Sequence, residues 1–157
     1  MNDTIDFKHV ESGPDLEEIR VLFLEYARSL DFELCFQNFD KELQRLPAEY
    51  AAPDGRLILC RLNGKPAGCI ALKPLEPGVC EMKRLYVRPS ARGSGTGRAL
   101  VEASIARARE LGYSTMRLDT LARMDAARGL YLSLGFRPVE RYNDNPIEGT
   151  LFFELPL

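Results

Sequence analysis

A single histidine, His9, and four cysteines with no C-x-x-C pair leave this chain without the clustered imidazole and thiolate ligands of a zinc site, so no metal is expected. No apolar run reaches the length that crosses a bilayer. The first residues, Met1 to Phe7, have no basic stretch leading into an apolar one, so no secretory signal is expected either. An excess of one charge is also missing. The 21 Lys and Arg nearly balance the 23 Asp and Glu, and a net charge of -2 provides no whole-molecule field for nucleic acid or an anionic membrane. Any anion must be bound locally. Repeats, low-complexity tracts and linkers are absent, and 157 residues suit one domain, 1–157, with its own hydrophobic core. Cys35, Cys60, Cys69 and Cys80 sit mostly in apolar segments, like buried thiols of a reducing compartment, and the expected location is cytoplasmic.

What is present is a regular alternation of periods. Ile5 to Val10 alternates like a strand, and Ser12-Gly-Pro-Asp15 has the spacing of a capping box ahead of a helix carrying Leu16, Ile19, Phe23, Tyr26, Ala27 and Leu30 on one stripe. A shorter helix is expected over Asp40 to Leu46, ended by Pro47 and the loop through Gly55. Arg56 to Leu62 and Lys65 to Leu72 flank Asn63-Gly64, a dipeptide suited to a two-residue hairpin turn. Val79 to Val87 reads as the next strand. Its period of two puts Glu81, Lys83, Leu85 and Val87 on one face and Met82, Arg84 and Tyr86 on the other, which implies a wet cleft with charge on both sides. A helix over Gly95 to Leu111, a strand over Ser114 to Asp119, a helix over Asp125 to Leu134 and strands at Phe136 to Val139 and Thr150 to Leu155 follow. The order β-α-α-β-β-β-α-β-α-β-β gives an α/β layered fold, antiparallel in its first half with parallel crossovers later.

Between the Val79–Val87 strand and the next helix lies Arg92-Gly-Ser-Gly-Thr-Gly-Arg98. Backbone N–H groups and the positive end of a helix converge there on one anion, and Arg92 and Arg98 add charge-assisted bonds. Side chains at 93, 95 and 97 would fill the space a diphosphate needs, so a pyrophosphate ligand is expected. A P-loop needs Lys followed by Ser or Thr after the last glycine, and here Arg98-Ala99 stands instead. A dinucleotide turn needs another spacing and a tighter link to its strand. Taken alone, such a loop is also what a solvated turn looks like.

Arg92-x-x-Gly95-x-Gly97 resembles the R/Q-x-x-G-x-G/A signature of the GNAT superfamily of N-acetyltransferases. Glu81-Met-Lys-Arg-Leu-Tyr-Val87 resembles that family's central strand, and Ala127-Arg-Gly-Leu-Tyr-Leu-Ser-Leu-Gly-Phe136 its A-x-x-L-Y-x-x-x-G-F helix and strand. One departure is Met124, where many members carry Asn. The resemblance implies a mixed, mostly antiparallel twisted sheet flanked by helices on both faces. It implies acetyl-CoA as co-substrate, with the backbone of Leu85, Tyr86 and Val87 paired to the pantetheine amides like an added strand. Arg92, Gly93, Ser94, Gly95, Thr96, Gly97 and Arg98 would hold the pyrophosphate.

The acceptor implied is a primary amine, which must lose a proton before it attacks a thioester. Glu81 aligns with the glutamate used as base by some members of the family, and an ion pair with Lys83 or a nearby arginine is its other reading. Tyr131 aligns with the tyrosine that protonates the departing thiolate. The backbone N–H of Leu85 is the expected oxyanion donor. Cys69 and Cys80 have no imidazole to activate them and are expected in the core. The loop Tyr142 to Pro146 is expected to edge a substrate pocket. An acyl-CoA sensor that keeps the cofactor cradle without the chemistry is the alternative, and a homodimer is left open.

Overall fold

The computed structural model describes residues 3–30, 39–122, 124–145 and 147–157. Strands are β1 (Ile5–His9), β2 (Arg56–Leu62), β3 (Lys65–Glu76), β4 (Val79–Val87), β5 (Thr115–Leu121), β6 (Arg137–Val139) and β7 (Thr150–Pro156). Helices are α1 (Pro14–Ser29), α2 (Phe39–Arg45), α3 (Thr96–Glu110) and α4 (Asp125–Ser133). The chain order of these elements is the one the periodicity predicts. They build a seven-stranded sheet in the order β1-β2-β3-β4-β5-β7-β6. Only the β4–β5 pair is parallel, so the second half has one parallel crossover, β4-α3-β5, and not several.

Period-two alternation sorts the sheet residues between two cores. Leu57, Leu59, Cys69 and Ala71 face α1, which presents Leu16, Ile19, Leu22 and Phe23. Ile58, Cys60, Ile70 and Leu72 face α3, which presents Leu100, Val101, Ile105 and Ala108. Each fully buried Leu or Ile among them contributes about 1.5–3 kcal/mol. The β2–β3 hairpin closes at Asn63 (φ 53°) and Gly64 (φ 81°), as the left-handed preference of that dipeptide predicts.

The expected capping box does not form. Gly13 occupies the cap position of α1 with φ 76° and no side-chain cap bond. The Asp15 carboxylate is taken by Lys8 at 2.5 Å and Arg61 at 2.5 Å, so it stitches α1 to β1 and β2 instead.

A second departure shapes the centre of the molecule. Ala71 pairs with Lys83 and Cys69 pairs with Tyr86, so Ile70 alone stands opposite both Arg84 and Leu85. This is a β-bulge, with Arg84 at φ 60°. The extra residue shifts the alternation, which corrects the expected division of the strand. Glu81, Lys83, Arg84 and Tyr86 share the α1–α2 face, while Met82, Leu85 and Val87 belong to the α3 face. All the charge therefore lies on one side. Arg84 is held there by two bonds to Glu42 of α2, Nε to Oε2 at 2.9 Å and Nη2 to Oε1 at 3.0 Å, and its guanidinium lies 5.4 Å from the centre of the Phe39 ring.

The bulge also bends β4 away from β5. Pairing between them covers only Val79↔Thr115, Cys80↔Met116 and Glu81↔Arg117, while β5 stays paired with β7 as far as Leu121↔Thr150. From Met82 to Val87 the β5-side edge of β4 has no strand against it among the described residues, and the sheet is forked.

Candidate active site

A cavity fills the fork, with Lys83 to Leu85 of β4 on one side, Leu118 to Leu121 of β5 on the other, and Tyr131 of α4 in its wall. The expected strand-like partner of Leu85, Tyr86 and Val87 thus has an open edge beside it. Arg88 anchors the far end of the strand by a two-pronged bond to Glu25 of α1, Nε to Oε1 at 3.1 Å and Nη2 to Oε2 at 2.8 Å.

At the mouth of the fork the chain makes a short 3-10 turn, Pro89–Ala91, and enters the glycine loop. Gly93 has φ 84° and Gly95, at the cap position of α3, has φ 83°. No side chain caps α3, because the Ser94 hydroxyl bonds the Ala91 carbonyl at 2.6 Å and lies 2.7 Å from the Thr96 hydroxyl. The first backbone bond into the helix runs from the Ala99 N–H to the Gly95 carbonyl at 3.0 Å. The amides of Gly93 through Arg98 consequently have no acceptor among the described residues. A run of unanswered N–H groups at a helix start is a cradle for an anion with several oxygens.

The three glycines of the signature differ. A Cβ at Gly93 or Gly95 meets nothing within 4 Å, so it projects into open space. At Gly97 it meets Val87 Cγ2 at 3.7 Å and Leu130 Cδ2 at 4.0 Å. This corrects the expectation that all three clear room for a diphosphate, since position 97 faces the β4–α4 seam. Arg92 Nε donates to the Val87 carbonyl at 2.9 Å, with its guanidinium 5.9 Å from the centre of the Tyr86 ring. Arg98 Nε donates to Glu102 at 2.8 Å and Nη1 to the Ser133 hydroxyl at 3.1 Å. The two cations bracket the loop.

Tyr131 is buried in the fork, edge-on to Phe136 with centroids 5.7 Å apart. Burial pushes its phenol pKa up, the charges of Asp119 and Tyr26 adding to this, so the hydroxyl stays protonated across the working range. That hydroxyl has no hydrogen-bond partner among the described residues. Glu81 is only 3% exposed and lies deeper, where β4 and β5 are still paired. It accepts a 2.7 Å bond from the Tyr142 hydroxyl, and Lys73 Nζ stands 3.8 Å from its other oxygen. Among the described residues its cation is therefore Lys73 and neither Lys83 nor an arginine.

Glu81 lines a second cavity, and this one shares Lys83, Asp119 and Asn145 with the fork. Glu81 and Tyr131 are thus brought to two spaces that meet at common residues. The sequence reading missed Tyr142 as the partner of Glu81, although its loop was expected to edge a pocket. It also missed Lys83 and Asp119 as lining residues. The only available signal for Asp119 was its position, two residues after Arg117 on the strand neighbouring Glu81. Pro146 and Cys35 lie outside the described residues.

Cys60, Cys69 and Cys80 are free and buried. Burial pushes the Cys60 thiol up to about 11 and Cys80 to about 12, and Cys69 higher still, so none is a nucleophile at neutral pH. Among the described residues no helix is long and apolar enough to cross a membrane, and no group of three His, Cys, Asp or Glu is placed to hold a metal.

Comparison with known proteins agrees with this geometry. The sequence profile of the acetyltransferase (GNAT) family matches residues 16–136. An uncharacterized N-acetyltransferase of Schizosaccharomyces pombe is 40% identical over 155 residues, covering 98% of this chain and 95% of that protein. A GNAT-family acetyltransferase from Staphylococcus aureus superposes with a TM-score of 0.79 at 20% identity, covering 98% and 99% of the two chains. An acetyltransferase from Salmonella typhimurium, solved with its cofactor acetyl-CoA, superposes with a TM-score of 0.72 at 20% identity over 98% and 93% of the chains. The length of the profile match and the near-complete overlap with the S. pombe relative place the chain in the GNAT family of N-acetyltransferases.

Proposed function

We propose that this chain, as one domain spanning residues 1–157, moves an acetyl group directly from acetyl-CoA to a primary amine of a small molecule or an exposed peptide terminus. The observation that carries the proposal is the unanswered amide run from Gly93 through Arg98 at the start of α3, opening onto a forked sheet. Those amides, with Arg92 and Arg98 beside them, suit the pyrophosphate of coenzyme A. The unpaired edge of Leu85, Tyr86 and Val87 suits the amides of the pantetheine arm, which leads the thioester inward to Tyr131.

Within that frame each residue has a task. The amine nitrogen attacks the thioester carbonyl carbon, and the N–H of Leu85 steadies the oxyanion. Glu81, in the acceptor cavity, receives the proton that the ammonium must shed, directly or through water. Tyr131, protonated and facing the fork, donates to the coenzyme A sulfur as the carbon–sulfur bond breaks. Proximity of the two substrates supplies much of the remaining acceleration. A cytoplasmic setting belongs to the same proposal, supported by the free, buried thiols.

Acetyl-CoA-dependent release of free thiol, screened over amines, amino acids and peptides, tests the reading. Tyr131→Phe and Glu81→Gln are expected to lower kcat by about a hundredfold or more while calorimetry still records acetyl-CoA binding. No heat of association with acetyl-CoA would refute the cofactor assignment. Binding without thiol release from any acceptor would favour an acyl-CoA sensor.

A further inference from the structure

The cavity that Glu81 lines also contains two opposite charges that do not pair with each other. Lys83 is mostly buried, and no carboxylate lies within ion-pair distance of its ammonium among the described residues. Burial pulls its pKa down and the Arg84 charge adds to this, while Glu81, Asp119 and Glu42 act against them. An ammonium so desolvated gains more from a carboxylate partner than one in water. Asp119 stands on β5, on the face shared with Glu81 and Lys83. The side-chain amides of Asn143 at 2.7 Å and Asn145 at 3.4 Å both donate to its Oδ2. Its Oδ1 accepts no hydrogen bond among the described residues. Of the other charges lining this cavity, Lys73 is committed to Glu49 at 2.9 Å and Glu81 to Tyr142 at 2.7 Å, while Asp144 is exposed to solvent. Lys83 and Asp119 are also residues that the acceptor cavity shares with the fork, so a molecule touching both lies where the two spaces meet.

Resting on the acetyltransferase reading, we propose that the acceptor is a small amino acid carrying both a free amine and a free carboxylate, and that a peptide terminus is not. Lys83 Nζ binds the carboxylate. Asp119 Oδ1 receives the ammonium and holds it toward the thioester until Glu81 takes its proton. A peptide offers the amine but replaces the neighbouring carboxylate with an amide, which leaves Lys83 buried opposite a neutral group. Lys83 and Asp119 are thus specificity residues, and selection comes from the cost of leaving a buried ion unanswered.

The test compares free amino acids with their carboxamides and with the matching amines that lack the carboxyl group. Wild-type kcat/KM is expected to favour the acid by about tenfold or more. In Lys83→Met that preference should fall to within about twofold, and Lys83→Arg should restore part of it, mainly through KM. Calorimetry with acetyl-CoA on each variant separates loss of acceptor selection from loss of cofactor binding. Amides or peptides equal to the acids in the wild type overturn the proposal without any variant, and so does a preference that survives Lys83→Met. Acetyl-CoA binding with no acid acetylated overturns it too, leaving the cofactor assignment standing.

Discussion

Replacing two glycines only two positions apart should give opposite results, because their backbones differ. Gly95 sits at φ 83°, where a Cβ costs about 1–2 kcal/mol even though it touches nothing within 4 Å. Gly97 lies inside the first turn of α3, and its added Cβ makes ordinary contacts at 3.7 and 4.0 Å. Alanine there gains up to about 1 kcal/mol of helix preference, and less so near a helix start. About 1 kcal/mol moves the Tm of a domain of this size by roughly 2–4 °C. Gly97→Ala is therefore expected to raise the Tm by about 1–3 °C with acetyl-CoA affinity unchanged. Gly95→Ala has two ways to spread its strain. If the loop keeps its shape, the Tm falls by about 2–8 °C. If the loop relaxes, binding must restore the cradle, and affinity falls by about 5- to 30-fold. Scanning calorimetry and titration calorimetry on the same samples read both quantities. The reasoning fails if Gly95→Ala changes neither, or if Gly97→Ala weakens acetyl-CoA as much as Gly95→Ala does.

Two further outcomes follow from titrating groups. With thiols pushed up to about 11 at Cys60 and about 12 at Cys80, only roughly one thiolate in a thousand or ten thousand is present at pH 8. Peptide mapping after iodoacetamide treatment should find Cys60, Cys69 and Cys80 unmodified in the native protein and labelled after unfolding; labelling of native Cys69 would contradict its burial. The Glu25 carboxyl is held below its usual range, first by the Arg88 hydrogen bond and against the opposing effect of burial. A depressed folded pKa means that its stabilisation is full above the unfolded value of about 4.3 and is lost as pH falls through the folded value. Glu25→Gln should cost about 1 kcal/mol at pH 7 and flatten that acid limb in urea titrations between pH 3 and 7, and a variant with an unchanged limb would exclude the pair as its source.

The order of elements was legible because each boundary carries a local cause. Asn63-Gly64 turns a hairpin by its own backbone preference, and apolar residues spaced at two or at three and four give strands and helices whatever surrounds them. The glycine loop was legible for the same reason, since its cradle is made of backbone and the sequence states where side chains are missing. What the sequence hid was decided at long range. Ser12 and Asp15 have the spacing of a capping box, but Arg61 comes from 46 residues away to claim the carboxylate. Val79 to Val87 alternates without a visible break, and nothing local marks Arg84 as the bulged residue. Its partner Glu42 lies 42 positions earlier, on a helix whose docking only the folded chain determines. The Tyr142 bond to Glu81 spans 61 positions and was hidden for the same reason.

That one bulge also accounts for why the fork and the Glu81 cavity meet where they do. A strand that kept its alternation would turn Arg84 toward the α3 core, among Ile70, Leu72 and Leu100, where an unpaired guanidinium could not be buried without a large desolvation cost. Admitting an extra residue returns Arg84 to the α2 side, where Glu42 answers it, and simultaneously bends β4 off β5. The sheet loses ladder bonds beyond Glu81 and gains an unpaired edge for a ligand. Lys83, immediately before the bulge, is left on the charged face at the lip of the opening, across from Asp119 on the strand that did not bend. Charge placement and cleft opening are thus two consequences of a single register shift, and Lys83 and Asp119, the proposed acceptor-selecting residues, stand beside the unpaired edge proposed for the donor.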